Sequence, residues 1–198
     1  MVKKEDTLVV TAGRDPESNY GVVNTPVYHA STVLFPTVAD LEKAQRDKLK
    51  NNTVYYGRYG TPTTFAFQNA ISQLDDGYRS IAVASGNCAV LISLMAFLKT
   101  GDHLLMVDSA YGPTRTLCNT LLSRFGITTT FYDPLVGADI EKLIQRETRI
   151  VFTESPGSQT FEIQDISAIS HAAHERDCIV VMDNTWATSL FFKPFIRK

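Results

Sequence analysis

The stretch His103-Leu-Leu-Met-Val-Asp-Ser-Ala-Tyr-Gly-Pro113 decides the fold class of this chain. Four apolar residues run together and lead to an aspartate, and the Gly-Pro pair that follows is typical of the first turn of a helix. A strand that is covered on both faces is a continuous apolar run of this kind, because neither face meets water. We therefore predict a buried strand over His103–Val107 and a helix from Pro113 to Phe125, with Gly126 as its C-terminal cap.

Working outward from this stretch, short apolar strands alternate with helices in both directions. The predicted strands are Ser80–Ala84, Ile127–Phe131, Arg149–Thr153 and Cys178–Met182. The predicted helices are Thr37–Lys48, Thr63–Leu74, Asn87–Leu98, Asp139–Arg146 and Asp165–Arg176. Apolar strands separated by helices indicate a mostly parallel sheet with helices on both faces. The predicted fold class is therefore α/β.

Composition and charge exclude several classes of protein. Hydrophobic residues make up 44% and charged residues 20% of the 198 residues, which is the balance of a globular protein. The formal net charge of −2 gives no electrostatic reason to expect nucleic acid or a membrane as a partner. We find no apolar run near the roughly 20 residues that span a bilayer, and no secretory signal. The cysteines form no C-x-x-C pair, which favours a cytoplasmic protein over a disulfide framework or a zinc site.

The first candidate site follows the predicted strand Ser80–Ala84, where Ser85-Gly86-Asn87 opens a helix. The first N–H groups of a helix have no partner within it, so a phosphate could bind there. The same three residues could also be an ordinary helix cap. Neither a P-loop nor a Gly-x-Gly-x-x-Gly fingerprint is present, which disfavours a dinucleotide-binding oxidoreductase.

Polar or aromatic side chains also follow three later strands, at the edge where ligands bind in open α/β sheets. Tyr111 could stack on a planar ligand or be an ordinary aromatic residue. Glu154 could position a ligand or accept hydrogen bonds from loop amides. Asp183 follows an apolar run, so we expect it to be buried. It would then pair with a protonated ring nitrogen of a cofactor or cap nearby N–H groups.

Near the N-terminus, Tyr55-Tyr-Gly-Arg-Tyr-Gly60 combines aromatic rings, glycines and a cation. Arg58 offers a planar fork of donors for phosphate, and Tyr56 adds a hydroxyl group. By itself this loop could equally make non-specific surface contacts or contact nucleic acid, although the rest of the chain is not basic. His171 and His174 share a helix face without an evident third ligand, so we predict no metal site.

Taken together and in this order, six motifs resemble those of the Cys/Met-metabolism enzymes that depend on pyridoxal phosphate (PLP). Three of them most resemble the versions found in the bacterial cystathionine β-lyases of that family, namely Tyr-Gly-Arg, Asp-Pro-Leu-Val-Gly-Ala-Asp-Ile and Asp-Asn-Thr-Trp-Ala. The six motifs are Tyr56–Thr61, Ser85–Val90, Tyr111–Thr114, Asp133–Ile140, Glu154–Ser158 and Asp183–Ala187.

This resemblance implies a fold like the large domain of aspartate aminotransferase and a role for each site residue. The amides of Gly86 and Asn87 would bind the PLP phosphate. Tyr111 would stack on the ring and could assist proton movement, and it is the one catalytic residue implied. Asp183 would pair with the ring nitrogen and keep it protonated. The implied reaction is a β-elimination that converts cystathionine, or a similar amino acid, to homocysteine, pyruvate and ammonia.

The resemblance also implies an assembly. Tyr56 and Arg58 would reach the phosphate of a neighbouring subunit's cofactor, because in this family the N-terminal arm crosses a dimer interface. We therefore expect a homo-oligomer, either a dimer or a tetramer. The implied division is an arm over residues 1–60 and an incomplete PLP-binding domain over residues 61–198, with the C-terminal domain absent.

The family's Schiff-base lysine is expected about 25 residues beyond Asp183, whereas the chain continues for only 15. Neither Lys193 nor Lys198 takes that place. The apolar end around Phe191 and Ile196 also suggests a truncated protein, inactive unless a C-terminal half is separately encoded. Two alternatives stay open, a non-catalytic remnant or interaction fragment and a related cystathionine γ-synthase or γ-lyase.

Overall fold

The computed structural model describes residues 4–50 and 52–195, so Ile196 and Lys198 lie outside the described residues. The chain divides into two compact units. The first contains residues 1–82 and 193–198, and the second contains residues 83–192. The predicted arm over residues 1–60 falls within the first unit, and its role toward a neighbouring subunit stays a prediction.

The first unit contains three α-helices in its described part, α1 (Glu5–Thr11), α2 (Val38–Asp47) and α3 (Pro62–Leu74). Helix α2 starts where the sequence predicts, because the Thr37 hydroxyl accepts a hydrogen bond from the Asp40 N–H at 3.1 Å. Helix α3 begins with a proline, which suits the first turn of a helix because its missing N–H would have no partner there. Helix α1 was not predicted.

The second unit is built around four parallel strands, β1 (His103–Val107), β2 (Thr128–Tyr132), β3 (Thr148–Glu154) and β4 (Ile179–Asp183). Their order in the sheet is β2-β1-β3-β4, and every neighbouring pair is parallel. All five residues of β1 are buried, as its continuous apolar run predicts. The α/β fold class is therefore confirmed, and each of these strands lies within one residue of its predicted bounds.

Four helices accompany this sheet in the second unit, α4 (Gly86–Met95), α5 (Gly112–Leu117), α6 (Ile166–His174) and the short α7 (Thr188–Phe191). Helix α5 continues as a π-helical turn over Cys118–Leu122. The core lies between the sheet and the helices, and its fully buried side chains include Leu94, Leu104, Leu105, Ile150 and Ile169. Each such side chain contributes about 1.5–3 kcal/mol of burial free energy.

Two predictions of secondary structure were wrong. Residues 80–84 form no strand with any described residue, and the Ile81 side chain is 76% exposed. A strand needs the backbone of a neighbouring strand, which an apolar run cannot supply by itself. The predicted helix Asp139–Arg146 is instead a 3₁₀ segment over Gly137–Leu143. None of the helices described over residues 4–50 and 52–195 has the length and apolar character needed to cross a membrane.

Candidate functional site

The candidate site in the second unit lies where the order of the strands reverses. The chain passes from β1 to β2 on one side and then returns to β3 and β4 on the other side of β1. The loops that follow β1 and β3 therefore leave the same edge of the sheet in opposite directions. At such a point, open α/β sheets bind ligands in a crevice beyond the carboxyl ends of the strands.

Tyr111 lies at this crevice, directly before α5, and its side chain is 52% exposed. Its backbone N–H donates a hydrogen bond to Glu154 Oε2 at 2.9 Å. Glu154 is the last residue of β3 and is only 4% exposed. For Glu154, the alternative in which a carboxylate accepts hydrogen bonds from loop amides is therefore confirmed.

The two loops at the crevice also contact each other beyond this hydrogen bond. The Ser158 N–H donates to the Ser109 carbonyl oxygen at 2.8 Å. Gly157 lies so close to Ser109 that an added Cβ would be 2.5 Å from the serine Oγ. Only glycine allows this approach without a shift of one loop. The segment Glu154–Ser158 therefore holds the loop that carries Tyr111.

Asp183 ends β4 and lies opposite Glu154 in the ladder between β3 and β4. It is partly exposed rather than buried, because β4 is the edge strand of the sheet. One carboxylate oxygen, Oδ1, accepts a hydrogen bond from the Thr185 N–H at 2.9 Å. The other oxygen, Oδ2, accepts none from the part of the chain that the structure describes. Asp183 therefore caps its own loop and still has one oxygen available to a ligand.

The electrostatics of the crevice are set by two neighbouring carboxyl groups. Burial raises the pKa of Glu154 above its ordinary value, and the negative charge of Asp183 raises it further. The hydrogen bond from the Tyr111 amide acts in the opposite direction. A cationic or protonated group bound between these two carboxyl groups would relieve their repulsion.

Helix α4 presents a second polar feature of the unit. The Ser85 hydroxyl caps the helix by accepting from the Cys88 N–H at 3.2 Å. The amides of Gly86 and Asn87 donate to no group among the described residues. A Cβ added at Gly86 would have no neighbouring atom within 4 Å. Helix α4 contacts both β4, which carries Asp183, and α5, which follows Tyr111.

Tyr56 and Arg58 lie in the first unit, at the 3₁₀ turn Gly57–Tyr59. The guanidinium carbon of Arg58 is 5.7 Å from the centre of the Tyr56 ring and 5.2 Å from that of Tyr59. The turn is possible because residue 57 is glycine, since a Cβ there would overlap the Ala30 carbonyl oxygen. These side chains border a cavity of about 370 Å³, which is also lined by Phe35, Lys48 and Tyr55.

Of the two lysines considered in the sequence analysis, the structure describes Lys193, and Lys198 lies outside the described residues. The ammonium group of Lys193 forms an ion pair with Glu5 at 2.7 Å within the first unit.

A parallel α/β sheet accompanied by free helix amides, an aromatic ring and a carboxylate is suited to a protein that binds an anionic cofactor with a flat, protonated ring. The model of the family described as Cys/Met metabolism PLP-dependent enzymes matches residues 6–196. The chain belongs to this family, as the six motifs predict.

Individual relatives agree with this assignment. A Rhizobium johnstonii protein with a provisional cystathionine β-lyase name is 47% identical over 189 residues, covering 96% of this chain and 46% of the relative. Cystathionine β-lyase MetC of Escherichia coli K12 is 42% identical over 193 residues, covering 96% and 49%. The crystal structure of cystathionine γ-lyase from Lactobacillus plantarum, complexed with L-serine, superposes with a TM-score of 0.86 at 29% identity, covering 97% and 47%. The chain spans about half the length of the curated relatives it matches.

The residues present fit PLP, the cofactor of this family. Unused amides at the start of α4 match a phosphate, the free Oδ2 of Asp183 matches a protonated ring nitrogen, and the half-exposed ring of Tyr111 matches a flat ring. Sequence reasoning gave hydrogen bonds from loop amides to Glu154 as one of two alternatives, and it missed that Tyr111 is the donor. The available signal was an acid directly after an apolar run, at the carboxyl end of a predicted strand.

Proposed function

We propose that this chain carries the cofactor-binding residues of a PLP-dependent carbon–sulfur lyase that cleaves cystathionine by β-elimination. The observation that carries the proposal is the free Oδ2 of Asp183 at the end of β4. Asp183 lies opposite Glu154, and β3 separates it from β1, the strand that leads into the Tyr111 loop. A carboxylate with one oxygen fixed and one oxygen free is suited to accept a hydrogen bond from a ring N–H. The motifs shared with bacterial cystathionine β-lyases support this choice of substrate.

Each site residue has a distinct task in this proposal. The N–H groups of Gly86 and Asn87 bind the phosphate at the positive end of the α4 dipole. The free Oδ2 of Asp183 accepts a hydrogen bond from the ring nitrogen and keeps its proton in place. Tyr111 covers one face of the ring, which excludes water from that side, and its hydroxyl group is available to carry a proton.

When bound, PLP supplies a ring that delocalises the electron pair left at the substrate Cα after its proton is removed. The sulfur at Cβ then leaves with the electrons of the broken C–S bond. Overall, cystathionine and one water give homocysteine, pyruvate and ammonia. The negative charge of Asp183 supports this chemistry from the protein side, because it holds the ring nitrogen in its protonated, electron-withdrawing form.

The proposal includes a homo-oligomer in which Tyr56 and Arg58 bind the phosphate of a neighbouring subunit's cofactor. Its support is the geometry of Arg58, whose guanidinium lies near two tyrosine rings beside an open cavity. A guanidinium held between aromatic rings loses less conformational freedom when it binds a phosphate.

The phosphate site is tested by a matched pair of variants at Gly86. Binding of PLP is followed by quenching of Trp186, the single tryptophan of the chain, which lies three residues beyond Asp183. Gly86→Pro removes one amide donor at the first position of α4, and Ser85 before it already has the extended backbone that a following proline requires. Gly86→Ala keeps the donor and places its Cβ in open space. We expect Gly86→Pro to weaken PLP binding about ten-fold and Gly86→Ala to bind as the unmodified chain does.

Pyridoxal, which lacks the phosphate, is the control ligand for this experiment. It should bind more weakly than PLP and should distinguish the two variants much less. Equal affinities for PLP and pyridoxal would contradict the phosphate site. The reaction is assayed by pyruvate release from cystathionine, with PLP present and with any polypeptide encoded downstream co-expressed. Release of 2-oxobutyrate instead of pyruvate would assign γ-chemistry and reject the β-lyase.

A further inference from the structure

We infer that Glu154 is a positioning residue, which fixes Tyr111 for ring stacking through the hydrogen bond from the Tyr111 amide. This inference rests on the proposed function, because the ring that Tyr111 covers is that of PLP. Glu154 itself does not contact the cofactor in this account. It acts by holding the backbone of the residue that does.

The hydrogen bond between Glu154 and Tyr111 has the properties of a structural anchor. It joins the end of β3 to the first residue before α5, across 43 residues of sequence, at 2.9 Å. The residue Glu154 is 4% exposed, so water cannot easily replace its carboxyl group as the acceptor. A buried amide that loses its acceptor costs about 1–3 kcal/mol. The loop is therefore strongly favoured in the one position that satisfies this amide.

The remaining contacts of the two loops reinforce the same position. Ser158 and Gly157 fix the other end of the Tyr111 loop at Ser109, through one backbone hydrogen bond and one close approach. With both ends held, the backbone of Tyr111 has little freedom. The ring itself stays half exposed, because only its main chain is engaged.

The anchoring role requires only an oxygen that can accept a hydrogen bond at this position. The carboxyl group of Glu154 can accept a hydrogen bond from the Tyr111 amide whether it is charged or protonated. Glutamine can accept the same hydrogen bond, whereas alanine cannot. The two replacements therefore separate an anchoring role from a role that depends on the charge.

The anchor is tested first without any cofactor, by hydrogen exchange of the Tyr111 amide in the full chain. In Glu154→Ala we expect this amide to exchange at least about ten times faster, because its buried acceptor is gone. Glu154→Gln should keep the slow exchange. The matched control is Glu175→Ala, which removes an exposed carboxylate that pairs with His171 at 3.6 Å. That control should leave exchange at Tyr111 unchanged.

The second measurement is PLP binding by quenching of Trp186 in the same variants. We expect Glu154→Ala to weaken PLP binding about ten-fold and Glu154→Gln to restore it to within about two-fold. If Glu154→Ala prevents folding, Gly157→Ala tests the same anchor, since its Cβ must push Ser109 away and should raise exchange at Tyr111.

The outcomes separate this inference from the proposed function. Fast exchange and weak binding in the alanine variant, both reversed in the glutamine variant, support the positioning role. Unchanged exchange in Glu154→Ala, or a glutamine variant as defective as the alanine variant, overturns it. If the unmodified chain does not bind PLP, the proposed function and the cofactor part of this inference fail. The exchange rates then still decide whether Glu154 holds the Tyr111 loop.

Discussion

The two ends of the sheet in the second unit differ in how fully their buried polar groups are hydrogen-bonded. At the amino end, both ring nitrogens of His103 are hydrogen-bonded. Nδ1 lies 2.8 Å from the Thr148 hydroxyl, and Nε2 lies 2.9 Å from the Thr130 hydroxyl. At the carboxyl end, buried oxygens have no hydrogen-bond partner among the described residues, namely Ser109 Oγ, Thr153 Oγ1 and Asn184 Oδ1. The Oδ2 atom of Asp183 is likewise unused.

This difference separates structure from function within one sheet. Buried polar groups are normally hydrogen-bonded, because leaving one unpaired costs free energy. At the amino end His103 obeys this rule and ties β1 to both neighbouring strands, whereas Thr129 Oγ1 near the start of β2 has no partner among the described residues. The carboxyl end departs from it at the strand-order reversal, where a ligand is expected. Unused hydrogen-bonding groups are therefore more numerous at the binding end than at the structural end.

The largest effect should come from replacing His103 at the amino end. In His103→Ala both hydroxyl partners lose a hydrogen bond and a cavity is left between three strands. We expect the free energy of unfolding to fall by about 2–4 kcal/mol, measured by urea denaturation. The exposed His174→Ala is the control and should change it by less than about 0.5 kcal/mol. PLP affinity of the folded His103→Ala protein should stay unchanged, and a loss of affinity would break the proposed contrast between the two ends.

Asp183 at the carboxyl end should show the opposite behaviour. Asp183→Asn keeps the oxygen that accepts from Thr185 but removes the charge opposite the ring nitrogen. We expect PLP binding to weaken by about 1.5–2 kcal/mol, or more than ten-fold, with little change in unfolding free energy. Asp139→Asn, an exposed aspartate paired with Lys142 at 2.8 Å, is the control. If Asp183→Asn lowers stability as much as His103→Ala does, the division into a structural and a binding end fails.

The sequence predicts the strands of this sheet well and its tertiary hydrogen bonds poorly. His103–Val107 and its three companions could be located because a strand covered on both faces is a continuous apolar run. Residues 80–84 carry the same kind of run, yet form no strand, since pairing depends on a neighbour that local sequence does not reveal. Helix α1 was missed because the sequence of that region shows only weak periodicity.

The candidate site shows the same limit. The residues at the strand ends, Tyr111, Glu154 and Asp183, could be selected from their positions after apolar runs. That Glu154 binds the Tyr111 amide depends on β1 and β3 being neighbours, which follows from the order of the strands and not from any local motif. Only the register between β3 and β4 brings Glu154 opposite Asp183.

The smallest effect, and the sharpest test of the contrast, concerns pH. Burial lowers the pKa of His103 below its ordinary value, although the charge of Glu147 opposes this shift. The unfolded chain therefore binds this proton more readily, so His103 should stabilise the fold fully above about pH 6.5 and lose that contribution as the pH falls through its folded pKa.

The contribution of Glu154 to stability should change with pH in the opposite direction, because burial and the charge of Asp183 raise its pKa. Its protonation favours the folded state, so its contribution grows as the pH falls toward the ordinary value near 4.5.

Unfolding free energies measured between pH 7 and 5 should separate these two contributions. Glu154→Gln removes the carboxyl titration, so the loss of stability on acidification should be steeper than in the unmodified chain. His103→Ala removes the histidine titration, so that loss should become shallower. Acidification therefore lowers the contribution of His103 to stability and raises that of Glu154. The amino end buries a base that is neutral when folded, and the carboxyl end buries an acid beside the charge of Asp183. If the unfolding free energy of both variants changed with pH as it does in the unmodified chain, neither group would titrate differently in the folded and unfolded chains. The electrostatic part of the contrast would then be lost.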